Sequence, residues 1–138
     1  MIQTNVTIAA PVALVWDAYN TPKHIQNWNF ASDDWFCPSA QNDLRVGGSF
    51  KNRMEAKDGS FGFDFEGVYT LIEPNTGLHF TLLDGRKVEM ILEEVDDKTN
   101  VTVAFEPEAE NPEEMQQQGW QAILNNFKTY TEQLYGKA

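Results

Sequence analysis

Apolar and polar positions alternate from the first residues of the chain. Ile2, Val6 and Ile8, with Thr4 among them, fall on one side, and Gln3, Asn5 and Thr7 on the other. That period of two marks a half-buried strand. At Pro11 the spacing lengthens: Val12, Val15, Trp16 and Tyr19 recur as on one face of a helix over residues 11–19, and proline suits a first helical position. Thr21-Pro22 repeats the signal, a capping residue followed by proline, and predicts a second short helix to about Trp28. Residues 29–42 show neither period. They form a long connection carrying Trp35, Phe36, Cys37 and Pro38, and long loops of this kind in a small domain are usually functional or packed over a cavity.

The middle of the chain reads as a series of strands. Asp58-Gly59 is a two-residue hairpin signal, and taking it as the centre of a turn sets a register. Ala56 then lies opposite Phe61, Met54 opposite Phe63, Asn52 opposite Phe65 and Phe50 opposite Gly67, while Arg53 meets Asp64 and Lys51 meets Glu66 on the other side. One face is apolar and the other charge-complementary, and a slip of one residue would destroy both patterns. Leu78, Phe80 and Leu82 alternate on the next strand, and Val88, Met90 and Leu92 on the one after. Those two sets share a face only if the turn around Asp84-Gly85-Arg86 holds an odd number of residues. Val101, Val103 and Phe105 against Thr102, Ala104 and Glu106 make a last strand. Gly47-Gly48 reads as a bulge or bend in a curved sheet, since no helix follows to make it a phosphate loop. Each strand keeps a polar face, so the sheet is antiparallel and covered on one side only.

The cover is the last segment. Asn111-Pro112-Glu113-Glu114 has the form of a capped helix start, and the helical period then runs to Leu134. At 100° per residue, Met115, Gly119, Trp120, Ile123, Leu124, Asn126, Phe127, Tyr130 and Leu134 fall within roughly 180°. A helix gripped by a curved sheet needs an apolar face that wide. The expected fold class is α+β, a curved antiparallel β-sheet wrapped around a long C-terminal helix, with two short helices after the first strand. No linker or repeat divides it, and residues 1–138 are read as a single domain.

Charge removes several classes of partner. The net charge is −11, with acidic residues crowded at Glu93, Glu94, Asp96 and Asp97 and again from Glu106 to Glu114. Nucleic acid and anionic lipid both demand Lys and Arg, so neither nucleic acid nor membrane is expected as a partner. The acidic runs read as a solvated surface. No stretch approaches the roughly 20 apolar residues of a membrane span, and no basic region opens a signal peptide. Cys37 has no second cysteine to pair with, which fits a reducing compartment. A soluble, cytoplasmic protein is expected, its oligomeric state left open. His24 and His79 are scattered and there is no thiolate cluster, so neither a metal nor a cofactor is expected.

The order of elements, together with IAAPVALVWDAYNTPKHIQNW, NDLRVGGSF, FEGVYTLIEP and QQQGWQAILNNFKTY, resembles the START-like (SRPBCC) superfamily. Within it the chain looks most like bacterial proteins related to the C-terminal domain of the heat-shock-protein-90 ATPase activator. The resemblance covers nearly the whole chain. It implies the helix-grip fold and an internal cavity of the kind that binds lipids, hormones or polyketide-like aromatics.

The inward-facing set of this reading is Phe50, Met54, Phe63, Phe65, Tyr69, Phe80, Leu82 and Met90 from the sheet, with Trp120, Ile123 and Phe127 from the helix. Such a set suits a pocket for a small hydrophobic molecule, lipid-like or polyketide-like, or else fills a core. Asn52 points inward between Phe50 and Met54, where its amide must find a partner: Asn126, Tyr130 or a ligand. Trp35 and Phe36 are placed to close the mouth, with Asp33 or Asp34 orienting a polar ligand. Two other functions stay open: an enzyme of cyclase or hydrolase type using Asp33 or Asp34 with Asn52, and a chaperone- or stress-related interaction module, by analogy of fold. No catalytic residue is assigned. A Cys37–His24 nucleophile would need the two side by side in space, and Arg53–Asp64 falls on the outer face.

Overall fold

The computed structural model describes residues 1–136. Strand β1 (Ile2–Ile8) carries the alternation of its sequence, with Thr4 and Ile8 buried and Gln3, Asn5 and Thr7 exposed. Helices α1 (Val12–Asn20) and α2 (Pro22–Ile25) then carry the chain across to the far edge of the sheet, where β2 (Trp35–Asn42) begins a meander. Strands β3 (Ser49–Ala56), β4 (Gly62–Glu73), β5 (Gly77–Leu82), β6 (Lys87–Val95) and β7 (Lys98–Phe105) return step by step until β7 pairs with β1. All six pairings are antiparallel, in the order β1-β7-β6-β5-β4-β3-β2. The seven strands curl into a half-barrel around α3 (Glu113–Gly136).

The register expected from Asp58-Gly59 is the register observed: Met54 pairs with Phe63, Asn52 with Phe65, Phe50 with Gly67, Arg53 with Asp64 and Lys51 with Glu66. The turn itself differs. Only Gly59 has a positive φ, 76°, and its N–H donates to the Ala56 carbonyl at 3.0 Å while Ser60 N–H donates to Asp58 Oδ1 at 2.8 Å. A two-residue type I′ turn would need Asp58 in the left-handed region as well, so the link is a longer loop of the same symmetry. The β5–β6 turn has the odd length its faces require, because Leu82 N–H donates to Arg86 O at 2.8 Å across residues 83–85.

Three local expectations change. Residues 35–42 form a strand, which the sequence hides because Pro38 interrupts its period; the register shifts between Phe36 and Ser39, as edge strands permit. The second short helix stops at Ile25, and Thr21 Oγ1 donates to Asp17 Oδ1 (2.9 Å) instead of capping it. Gly47-Gly48 belongs to the β2–β3 turn, not to a bulge within a strand: Gly47 has φ 84° and Gly48 N–H donates to Arg45 O at 2.8 Å.

The core lies between the concave face and the helices. Trp120 stacks on Phe105 with centroids 4.0 Å apart, and Phe127 meets the edges of Trp28 (4.8 Å) and Tyr19 (5.4 Å). Helix α3 also closes the free edge of β1. Gln121 accepts from Asn5 N–H (3.3 Å) and donates to Asn5 O (3.0 Å), and Glu132 Oε2 accepts from Ala9 N–H at 2.8 Å. Backbone groups that would otherwise template another strand are thereby satisfied. Of the residues placed on the inner arc of α3, Met115 is 58% exposed.

Two glycines separate close packing from simple chain entropy. A Cβ on Gly67 would lie 2.8 Å from Thr81 O and 2.9 Å from Phe50 Cε1, so Gly67→Ala is expected to lose about 1–3 kcal/mol. A Cβ on Gly119 in α3 meets nothing within 4 Å, so Gly119→Ala is expected to gain about 0.5–1 kcal/mol. Urea unfolding of the two variants beside the parent measures both signs.

Candidate functional site

Between the curled sheet and α3 lies a cavity of about 580 Å³. Its floor is the concave face of β3, β4 and β5: Phe50, Asn52 and Met54, then Phe63, Phe65 and Tyr69, then Leu78 and Phe80, with Val103 of β7 beside them. Gln116, Trp120, Ile123 and Leu124 of α3 form the roof, and Tyr19, Ile25, Trp28 and Asn29 close the end. Arg86, Glu108, Glu110 and Asn111 mark the rim, where Glu110 and Asn111 are exposed. The floor rings brace one another: Phe50 meets Phe80 edge-on at 4.8 Å, and Phe65 meets Trp120 edge-on at 5.8 Å across the space. Edge-to-face contacts of this kind hold flat rings in fixed orientations.

Polar groups are few and placed. Asn52 is 7% exposed, and its Oδ1 is buried with no hydrogen-bond partner among the described residues. The partners anticipated for it are engaged elsewhere. Asn126 Nδ2 donates to Phe30 O, and the Tyr130 hydroxyl shares a 2.6 Å hydrogen bond with His24 Nδ1. At the inner end the Tyr69 hydroxyl donates to Asn42 Oδ1 (2.6 Å), and Asn42 Nδ2 donates to Asn20 O (2.6 Å). Burial pushes the Tyr19 phenol well above its usual range; it does the same to Tyr69, helped by the neighbouring Tyr19 and opposed by the bond to Asn42. Both phenols therefore stay protonated at neutral pH and act as hydroxyl groups, not phenolates.

The rim is tied together by Gln116, whose buried amide accepts from Glu108 N–H (2.9 Å) and donates to Asn111 O (2.8 Å). Glu108 in turn accepts from Glu110 N–H (3.0 Å) and Asn111 N–H (2.9 Å), which holds its carboxyl below the usual carboxylate range. Arg86 Nε donates to Asp84 Oδ2 at 2.7 Å.

Not every anticipated residue reaches the cavity. Phe50, Asn52, Met54, Phe63, Phe65, Tyr69, Phe80, Trp120 and Ile123 line it; Leu82, Met90 and Phe127 are buried in packed core beside it. Phe127 is held there by Trp28 and Tyr19, two rings whose position the local pattern did not reveal. Phe36 pairs with Glu55 and so lies on the outer face, because β2 becomes a strand and alternates. Trp35 pairs with Ala56 and so faces inward, packing against Phe61 and the lining ring Phe63 with centroids 6.0 Å from each, without lining the cavity itself. Asp33 and Asp34 are exposed and away from the lining. Cys37 is buried, donating to Ser39 O at 3.4 Å, while His24 faces Tyr130 and Asp17. Tyr19, Ile25, Trp28 and Asn29 were missed as lining residues, since helical spacing marks only a buried face for Tyr19 and Ile25, and Trp28 and Asn29 follow α2 where no period holds.

No described helix is long and apolar enough to cross a membrane, and no cluster of His, Cys, Asp or Glu among the described residues is arranged to hold a metal. A curled antiparallel sheet gripping a C-terminal helix over an apolar cavity defines a START-like, helix-grip domain. The chain belongs to the family described as Activator of Hsp90 ATPase homolog 1-like protein, whose model matches residues 9–132. It is 41% identical to an AHSA1-like protein from Aeromonas hydrophila, whose solution structure superposes with a TM-score of 0.88 over 96% of this chain and 93% of that one. A solution structure from Cytophaga hutchinsonii is 47% identical, with a TM-score of 0.83 over 99% and 95% of the two chains. A crystal structure from Chromobacterium violaceum shares the fold at 22% identity, with a TM-score of 0.85 over 95% and 96%. No curated protein matches the chain.

Two outcomes follow from the buried polar groups. Replacing Asn52 by leucine removes an unsatisfied amide, so the ligand-free Asn52→Leu protein is expected to be about 1–3 kcal/mol more stable in urea unfolding. Burial lifts the Cys37 thiol from its ordinary value near 9 up to about 11, against the opposing bond to Ser39. Its folded pKa is the higher one, so the stability it contributes is complete below pH 9 and disappears as pH rises from 9 to 11. The urea midpoint should fall across that window in the parent protein and fall less in Cys37→Ala.

Proposed function

We propose that this protein binds a small hydrophobic molecule, aromatic or lipid-like, between its sheet and α3. The observation that carries the reading is the cavity of about 580 Å³, walled largely by aromatic side chains, with the buried Oδ1 of Asn52 unpaired among the described residues. Small-molecule sites span about 300–1,000 Å³ and combine an apolar wall with a few placed polar groups. A structural core of the same composition would be closed by side chains at interior packing density. The family provides further support, since its fold commonly serves ligand binding. The catalytic alternative is weakened because Asp33 and Asp34, the carboxylates it relied on, stand in solvent away from the cavity lining.

Native mass spectrometry of freshly purified protein, followed by a thermal-shift screen of lipids and aromatic compounds, tests the reading. A ligand at a hundred times its Kd adds about 2.7 kcal/mol of stability. Ile123→Trp places a large ring into the cavity from the roof and should abolish both the co-purified mass and the shift while the protein stays folded. Undiminished uptake by a folded Ile123→Trp protein would count against the site.

A further inference from the structure

We infer that Asn52 is the specificity residue of this cavity, reading a hydroxyl on an uncharged multi-ring aromatic ligand, and that the site discriminates against carboxylates. The inference rests on the binding reading above and narrows it. Asn52 sits midway along β3, between Phe50 and Met54 and opposite Phe65. It is more than nine-tenths buried, lines the cavity and has an Oδ1 with no partner among the described residues. An unpaired amide in such a place costs about 1–3 kcal/mol, so an apolar residue would serve the empty fold better. A half-turn of the carboxamide exchanges its donor and acceptor with little change of shape, and a hydroxyl can pair with either end.

The charges explain the second half. Among the described residues of the lining, the formally charged side chains are Arg86, Glu108 and Glu110, all at the rim. Arg86 is already engaged by Asp84, and the Glu108 carboxylate is held ionised by two backbone N–H groups. A ligand carboxylate drawn inside would lose its hydration and meet no counter-charge, under a protein of net charge −11. A neutral hydroxyl avoids that loss and finds Asn52. Flat rings suit the space because Phe50, Phe65, Phe80 and Trp120 offer fixed faces and edges around it.

Three probes of one skeleton separate these statements: 2-naphthol, naphthalene and 2-naphthoate, titrated by calorimetry at neutral pH into the parent protein, Asn52→Leu and Ile123→Trp. The parent is expected to bind 2-naphthol about 3- to 10-fold more tightly than naphthalene, the range of one net hydrogen bond, and 2-naphthoate most weakly. In Asn52→Leu the preference for the hydroxyl should vanish while naphthalene binds at least as well. A preference that persists in Asn52→Leu overturns the role of Asn52, and 2-naphthoate binding as tightly as 2-naphthol overturns the charge discrimination. Both of those results leave the cavity a ligand site, provided Ile123→Trp weakens every probe. Absence of binding by all three probes to the parent overturns this inference, and the binding reading falls with it only if native mass spectrometry and the thermal-shift screen of lipids are silent as well.

Discussion

One helix has to cover a sheet much wider than itself. Seven strands spaced about 4.8 Å apart span about 29 Å, whereas a helix with its side chains is about 10–12 Å across. A flat sheet would leave most of its apolar face in water. Curling reduces the area to be covered, and the bulge between Tyr69 and Leu71 adds local bend and twist to β4. Helices α1 and α2 cover part of the remainder. What stays uncovered is the region over β3, β4 and β5, because α3 is fastened to the opposite side by the hydrogen bonds of Gln121 to Asn5 of β1 and of Glu132 to Ala9 just after it.

The identity of the side chains decides whether that region collapses. Leucine or methionine walls can change rotamer and fill a gap. Here Met54, Leu78 and Leu124 share the walls with Phe50, Phe65, Phe80 and Trp120, each of these four rings braced by another at 4.0 to 6.3 Å. Tyr69 is fixed by its bond to Asn42, and Gly67 leaves room for the Phe50 ring beside it. Rigidity in the wall and a small residue where the ring must lie are together what maintain an open space. The same rigidity leaves Asn52 without a protein neighbour to turn towards.

Much of this architecture is local information. The alternation of β1, the facing sets of β3 and β4, the odd turn between β5 and β6 and the broad apolar arc of α3 can be read residue by residue. Each depends on a period of two or 3.6 and on cross-strand neighbours a short distance away in the chain. Strand β2 was not legible because Pro38 and a shift of register break its period, and its status as a strand comes from pairing with β3. The turn geometry at Gly59 was likewise hidden, since two loops of different length can preserve one register.

The sequence by itself determined which residues face inward, and it therefore named most of the floor of the site: Phe50, Asn52, Met54, Phe65, Tyr69 and Phe80. Only the tertiary structure decided which inward residues border empty space and which are packed. It set Leu82, Met90 and Phe127 in the core, turned Phe36 to the outer face, seated Trp35 against the lining ring Phe63, and brought Tyr19, Trp28 and Asn29 to the end wall. The reason is geometric. The direction of a side chain follows from the period of its own element, but a cavity is a difference between volumes contributed by elements far apart in the chain. No local pattern carries that difference.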